Sequence, residues 1–329
     1  MSHTVQQYLI RKYTSADYSI WNDFINQAKN ATFLFHRDFM EYHHDRFEDY
    51  SLIVEDEKGW LAVLPANRVG KEVFSHQGLT YGGLVFKGDL KLEKVLLIFK
   101  SILQQLHTSE IKTLHIKELP FIYSDYFSDE LKYALFLAEA KLTRRDTLAV
   151  IDLSKEIKLA SGRMEGVKRG IKNELIIKEE NDFTSFWNLV LIPNLINKHQ
   201  ANPVHSLEEI SNLKQKFPLN IRQFNVYKEN EIVGGTTIFE SKKVAHSQYI
   251  SVSSSKNEYG TLDFLHHYLM TEVFKDKAFF DFGISNEEQG RKLNGGLSFW
   301  KESFGAKIVT QDFYQVQTEN YIQLEQVIV

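Results

Sequence analysis

The feature that most constrains this chain is a faint internal duplication. Lys71-Glu72-Val73-Phe74-Ser75-His76-Gln77 is similar to Lys242-Lys243-Val244-Ala245-His246-Ser247-Gln248, 171 positions later in a chain of 329 residues. Lys, Val and Gln coincide, and the His and Ser are exchanged. A self-similarity at about half the chain length implies two domains of one design rather than one large core.

The surroundings of the two copies agree better than their letters. Ser51–Val54, a charged turn over Glu55–Gly59 and the apolar run Trp60–Pro65 precede the first copy. Ile221–Tyr227, the turn Lys228–Glu231 and Ile232–Phe239 precede the second. Each set reads strand, hairpin, strand, because β-favouring runs flank a short polar turn. Third strands are expected over Val73–Thr80 and Val244–Val252. Helices follow: Leu92, Val95, Leu96, Phe99, Ile102, Leu103 and Leu106 form one apolar stripe, as do Leu262, Leu265, Leu269 and Val273. Short strands then come at Thr113–Ile116 and Ala278–Phe282. Each half closes with a helix and a strand, Leu135–Leu153 matching Ser298–Val316 at an offset of 163, with Phe136/Phe299 and Glu139/Glu302 coincident.

Each half therefore reads β–β–β–α–β–α–β behind leading helices. Ser15 is a plausible N-cap for a helix bearing Tyr18, Trp21, Phe24 and Ile25, and a second helix is expected over about Arg37–Phe47. In the second half a helix over Phe183–Asn197 should be kinked or divided by Pro193. The expected class is α+β (mixed α/β), each half a mixed central sheet flanked by helices. The expected division is 1–154, a basic connecting helix over 155–180, and 181–329.

Composition narrows the function classes. With 39 Lys+Arg against 43 Asp+Glu the net charge is −4, which disfavours a wholly basic nucleic-acid binder. Cysteine is absent, so disulfides, thiolate metal sites and cysteine nucleophiles are excluded. His43-His44 and His266-His267 lack metal-ligand spacing, and no metal is expected. No Gly-x-Ser-x-Gly, GxGxxG or Walker A loop is present. No signal peptide and no membrane span are legible, so a cytoplasmic location is expected.

One segment is concentrated in cations. Arg163, Lys168, Arg169 and Lys172 are interspersed with Gly162, Gly166 and Gly170. They supply charge and close backbone approach for a phosphate, or they form a solvated helix between domains. With Phe280-Asp281-Phe282-Gly283-Ile284-Ser285 and Leu293-Asn294-Gly295-Gly296-Leu297-Ser298-Phe299-Trp300-Lys301-Glu302-Ser303-Phe304-Gly305-Ala306, this segment resembles the FemAB-like proteins. The duplicated halves look like two GNAT-type (acyl-CoA N-acyltransferase) domains in tandem. The resemblance covers nearly the whole chain in architecture and its last third closely.

That resemblance implies an acyl- or aminoacyltransferase acting on an amine of a cell-envelope or polysaccharide precursor, by direct attack in an interdomain cleft. It implies acyl-CoA or aminoacyl-tRNA as donor substrate, tRNA thus being a possible partner, and no permanently bound cofactor. Users of acyl-CoA carry a Gln/Arg-x-x-Gly-x-Gly/Ala turn whose amides hold the diphosphate. Neither 255–261 nor 84–91 has that glycine pair here. A non-catalytic ligand-binding protein on the same duplicated scaffold is the alternative.

Each remaining candidate has two readings. His76, Tyr81 and Gly82 form the lip of a substrate cleft or a strand end with a turn. His246 and Tyr249 serve as base and acid or are ordinary strand residues; on a regular strand they face opposite sides and cannot form one pair without a bulge. Asp281, on the face opposite Phe280 and Phe282, takes a proton or binds an amine, or else caps a neighbouring N–H. Asn294 and Lys301 belong to the C-terminal motif. Lys301 contacts an anionic ligand or lies on an exposed helix face.

Overall fold

The computed structural model describes residues 8–253 and 258–328, and of residues 198 and 199 the backbone alone. The chain divides into two compact units, Met1–Arg145 with Thr310–Val329, and Asp146–Val309. This differs from a division at 154 and 181. The basic helix lies within unit 2, and the closing strand of each half completes the sheet of the other unit.

Unit 1 runs through β1 (Leu9–Lys12), α1 (Tyr18–Gln27), α2 (Arg37–Met40), β2 (Glu48–Asp49), β3 (Leu52–Asp56), β4 (Gly59–Leu64), β5 (Asn67–Val69), β6 (Glu72–Phe74) and β7 (Val85–Phe86). It continues with α3 (Leu92–Thr108), β8 (Thr113–Lys117), α4 (Glu130–Leu137) and the start of β9 (Lys141–Asp152). The hairpin β3–β4 pairs Leu52 with Leu64 and Asp56 with Gly59. At Pro65 the chain leaves that sheet: a residue without N–H cannot continue a ladder, so β4 pairs with β3 and β7 while β5 pairs with β6. The expected third strand over Val73–Thr80 is only Glu72–Phe74. His76 turns the chain with φ +68°, and residues 75–83 form a packed loop. The α3 stripe is buried from Val95 onward, with Val95, Ile98, Phe99, Ile102, Leu103 and Leu106 in one core beside Val54, Leu64 and Leu114, while Leu92 at its start is exposed.

Unit 2 contains α5 (Ser161–Lys172), β10 (Ile176–Glu180), α6 (Thr184–Phe186), α7 (Ile192–His199), α8 (Leu207–Lys216), β11 (Ile221–Lys228), β12 (Glu231–Glu240) and β13 (Val244–Val252). Then come α9 (Thr261–Tyr268), β14 (Phe279–Ile284), β15 (Asn286–Glu287), β16 (Lys292–Leu293), α10 (Gly295–Glu302) and β17 (Lys307–Gln317). The helix expected to be kinked or divided by Pro193 is interrupted just before that residue. A π-helical turn over Trp187–Leu191 joins α6 to α7 and places the proline in the first turn of α7, where its missing N–H is tolerated. The sheet order is β10-β11-β12-β13-β14-β9, antiparallel except for β13–β14.

The duplication is visible in detail. Both hairpins carry a register shift at matching places, between Val54 and Glu55 and between Val226 and Tyr227. Glu130 to Gly295, Leu137 to Glu302 and Asp152 to Gln317 are each steps of 165 residues, so α4–β9 and α10–β17 are the same helix–strand pair. Their strands are exchanged. Residues of β9 pair with β14 in unit 2, and residues of β17 pair with β8 in unit 1.

Candidate active site

The site lies where β13 and β14 part. Alternation along β14 sends Phe280 and Phe282 into the core beneath α9, with Leu265, Leu269 and Phe304. Asp281 therefore faces the other way. The parallel ladder has three rungs, Val244↔Phe279, Ala245↔Phe280 and His246↔Asp281, and ends there although β13 runs on to Val252 and β14 to Ile284.

On that last rung His246 Nδ1 lies 3.0 Å from Asp281 Oδ2. Asp281 has no exposed surface, and its Oδ1 accepts the N–H of Gly283 at 2.7 Å. Gly283 has φ +72°, and a Cβ there would come 3.2 Å from His246 Cε1. Glycine is thus required both for the backbone conformation and for the ring's position. The His246 side chain keeps 12% of its surface exposed. An ionised carboxylate can only accept, so Nδ1 carries a hydrogen, and in the neutral ring Nε2 then carries the lone pair.

Lys301 reaches the same place from α10. It is buried, and its Nζ donates to the carbonyls of Gly283 at 3.0 Å and Ile284 at 2.6 Å. Burial pushes the ammonium down to about 8, and the charge of Asp281 opposes that shift. Lys301 is therefore neither on an exposed helix face nor at the surface awaiting an anion.

The matching position in unit 1 shows what is particular to unit 2. There the parallel rungs are Glu72↔Thr113, Val73↔Leu114 and Phe74↔His115. The third rung holds two stacked rings, Phe74 and His115, with centroids 4.3 Å apart. The chain then fills the edge with its own groups: Lys117 N–H donates to Ser75 Oγ at 2.8 Å and Gly82 N–H to Lys117 O at 2.7 Å. In unit 2 the same edge is satisfied by two ionisable side chains, Asp281 and Lys301. The two copies of the scaffold thus fill this edge differently, with ionisable side chains in unit 2 and with a serine hydroxyl and backbone groups in unit 1.

Tyr249 does share a face with His246. The register shifts at Gln248, so that His246 pairs with Phe239 and Tyr249 with Thr237, and the bulge brings the two residues to one side of the sheet. They do not form a pair. The Tyr249 hydroxyl lies 2.6 Å from His205 Nδ1 and accepts the His205 N–H at 3.1 Å. His205 carried no signal in the sequence, because nothing local ties residue 205 to a strand 44 positions away.

The basic helix α5 is built differently from a phosphate cradle. Two of its three glycines serve helix packing: a Cβ at Gly166 would fall 1.8 Å from Asp263 Oδ2, and one at Gly170 2.5 Å from Phe264 Cβ, both on α9, whereas Gly162 faces open space. Arg163 is taken up by Asp263 at 2.6 Å. Lys168, Arg169 and Lys172 remain exposed. Of the Ser255–Thr261 turn, residues 255–257 lie outside the described residues.

Asn294 is the N-cap of α10. Its side chain accepts the Leu297 N–H at 3.0 Å and donates to Glu287 at 2.8 Å. In unit 1, Tyr81 is buried against Phe35 and Tyr123 and bonded to Thr32 at 2.9 Å. Gly82 admits no side chain, since a Cβ would meet Ser75 O at 1.8 Å. His76 is buried and stacked on His43, and burial pushes its imidazole down to about 3. These three residues pin a loop; they form no exposed lip.

Among the described residues no group of three or more His, Cys, Asp or Glu is placed to hold a metal ion, and no helix is long and apolar enough to cross a membrane. No sequence-family model and no curated protein matches the chain. Solved structures do. FemX superposes with a TM-score of 0.68 at 10% identity, covering 96% of this chain and 99% of that one. The C-terminal domain of a putative lysylphosphatidylglycerol synthetase from Agrobacterium fabrum gives 0.59 at 14% identity over 94% of both chains. L-PGS from Bacillus licheniformis gives 0.55 at 11% identity, covering 84% of this chain and 86% of that one. At such identities the likeness is one of fold. The chain shares the fold of FemX and of these two proteins.

Proposed function

We propose that this protein transfers an acyl or aminoacyl group to an amine on a cell-envelope or polysaccharide precursor, with the chemistry in unit 2. The observation that carries this reading is the His246–Asp281 pair, held by Gly283 where the β13–β14 ladder ends. A buried carboxylate on Nδ1 leaves Nε2 as a proton acceptor at a partly exposed edge. The acceptor nitrogen attacks the donor carbonyl, and Nε2 takes its proton. As the carbonyl carbon–sulfur or carbon–oxygen bond breaks, the imidazolium returns that proton to the departing atom. One group then serves both steps, and no covalent enzyme intermediate is needed.

Two further features support the reading. Lys301 fixes the Gly283 and Ile284 carbonyls and so holds the backbone that positions Asp281. Lys168, Arg169 and Lys172 line the exposed side of α5 and suit the phosphates of an acyl-CoA or aminoacyl-tRNA donor.

The test is a donor and acceptor screen. Acyl-CoAs and aminoacyl-tRNAs are incubated with amine-bearing precursors, products are identified by mass, and binding is followed by thermal stabilisation. The expected result is a product from one donor class that disappears in His246→Ala. Stabilisation by a ligand without product from any donor would instead favour a non-catalytic binding protein on this scaffold.

A further inference from the structure

In unit 1, residues 75–83 form a loop over the carboxyl end of the parallel pair β6–β8, the place where unit 2 keeps His246 and Asp281. Backbone groups tie the loop to that edge. Ser75 N–H donates to His115 O at 2.8 Å, Gly82 N–H to Lys117 O at 2.7 Å, and Gln311 Nε2 to Thr80 O at 3.0 Å. Lys117 Nζ donates to Leu79 O, and Gln77 N–H to Asn67 Oδ1 at 2.8 Å.

A pair of imidazoles closes the loop against the rest of the unit. His76 stacks on His43, with centroids 5.1 Å apart and planes 15° from parallel. Phe47 meets both rings edge-on, at 5.6 Å from His76 and 4.9 Å from His43. Both histidines are buried. The fit is close, since a Cβ at Gly78 would fall 2.1 Å from His43 Nε2. His76 Nδ1 is enclosed and has no hydrogen-bond partner. A protonated His76 would carry a hydrogen on that nitrogen, where nothing accepts it, beside a second imidazole. The residue also has φ +68°, a left-handed conformation that is strained for any side chain and is relaxed when the loop opens.

We propose that residues 75–83 are an acid-released cap over the edge of β8, held shut near neutral pH by the stacking of His76 on His43. Burial, and after it His43, pushes the imidazole of the closed loop down to about 3; Asp49 on β2 favours the charged ring, while Arg37 on α2 and Lys117 on β8 oppose it. Opening returns the ring to water and to its ordinary value of 6.5. The open form therefore takes up the proton first. The stability that the neutral ring gives the closed loop is complete above the open-state value and is lost as pH falls toward the closed-state one. From about pH 7.5 to about pH 5, His76 alone should lower the closing equilibrium about 30-fold. Release bares the Lys117 N–H and carbonyl in unit 1, at the edge that unit 2 gives to ionisable side chains.

The test needs no substrate, so its failure leaves the reading of His246 and Asp281 intact. Amide hydrogen exchange of the full chain is followed at both pH values and corrected for the intrinsic effect of pH. In the wild type the protection of the Gln77, Leu79 and Gly82 amides should fall about 30-fold or more from about pH 7.5 to about pH 5, while α3 amides stay protected. In His76→Phe, which keeps a ring against His43 but cannot titrate, that fall should shrink about tenfold or more. His76→Asn, which tolerates the left-handed backbone and lacks the ring, should show the same reduced pH dependence from a lower protection at the higher pH. Gly78→Ala, whose Cβ displaces His43, should leave the loop weakly protected at both pH values. Wild-type protection that does not change with pH, an equal fall in the wild type and both His76 variants, full protection in Gly78→Ala, or loss of α3 protection in step with the loop would overturn the proposal.

Discussion

His246 Nδ1 and Asp281 Oδ2 meet at 3.0 Å across the last rung of a parallel ladder, and that contact decides which ring nitrogen can act. In Asp281→Asn the amide oxygen can still accept the Gly283 N–H. The amide nitrogen then donates to Nδ1, moves the ring hydrogen to Nε2 and abolishes the proton acceptor. Turnover should fall about 10²- to 10⁴-fold with little change in folding. Nitrogen NMR of the imidazole should show the reversed tautomer. An unaltered tautomer together with unaltered turnover would remove the pair from the mechanism.

Lys301 gives a test by pH. Its folded-state value is lowered from 10.5 to about 8, so between those limits the unfolded chain holds a proton that the folded chain has released. Stability contributed by this group therefore rises as pH rises through that window. Relative to Lys301→Met, the wild type should gain about 2 kcal/mol between about pH 7.5 and 10. Two carbonyls orphaned in the variant add an offset that pH does not change. Urea unfolding of both proteins at several pH values reads the difference; a flat difference would place the lysine in water.

The α5–α9 contact separates structural glycines from exposed cations. Gly166→Ala and Gly170→Ala put a Cβ at 1.8 Å from Asp263 and 2.5 Å from Phe264, and each should destabilise by about 1–3 kcal/mol. Lys168→Ala and Lys172→Ala, on the exposed side, should change stability by less than about 0.5 kcal/mol. If these lysines meet a donor's phosphates, donor affinity alone should fall, and it should fall more at low salt. Chemical denaturation and ligand titration of the same variants distinguish the two kinds of residue.

Most of the architecture was legible in the sequence because it is local. Periodicity marked α3, the charged turns marked both hairpins, and alternation placed Asp281 away from Phe280 and Phe282. What was not legible is register. Nothing in the sequence says that residue 246 stands opposite 281, since a β–α–β connection sets strand direction but not alignment. The bulge at Gln248 that turns Tyr249 to the face of His246 has no letter of its own. The same limit explains α5, where glycines four apart read equally well as a ligand cradle or as a flat helix face. Only the partner helix decides between them. The exchange of β9 and β17 between units was hidden for a further reason: each half, read alone, is a complete set of elements.

His266 offers a prediction about acid. It is wholly buried on α9 among Phe280, Phe282, Trp300 and Phe304, with Nδ1 donating to Leu262 O at 2.8 Å and no partner at Nε2. Burial lowers the imidazole from 6.5 to about 4. The unfolded chain therefore binds the extra proton first as pH falls. The stability contributed by the neutral ring is complete above the unfolded value and is lost as pH drops through the folded one. Between about pH 7 and 4.5 the wild type should lose about 2–3 kcal/mol relative to His266→Leu, which cannot titrate. Parallel denaturation curves of the two proteins across that range measure this directly. A constant difference would mean that the ring is already charged, or reached by water, in the folded state. The same aromatic cluster backs Asp281 from the opposite face of β14, so acid unfolding should release the His246–Asp281 contact in the same transition.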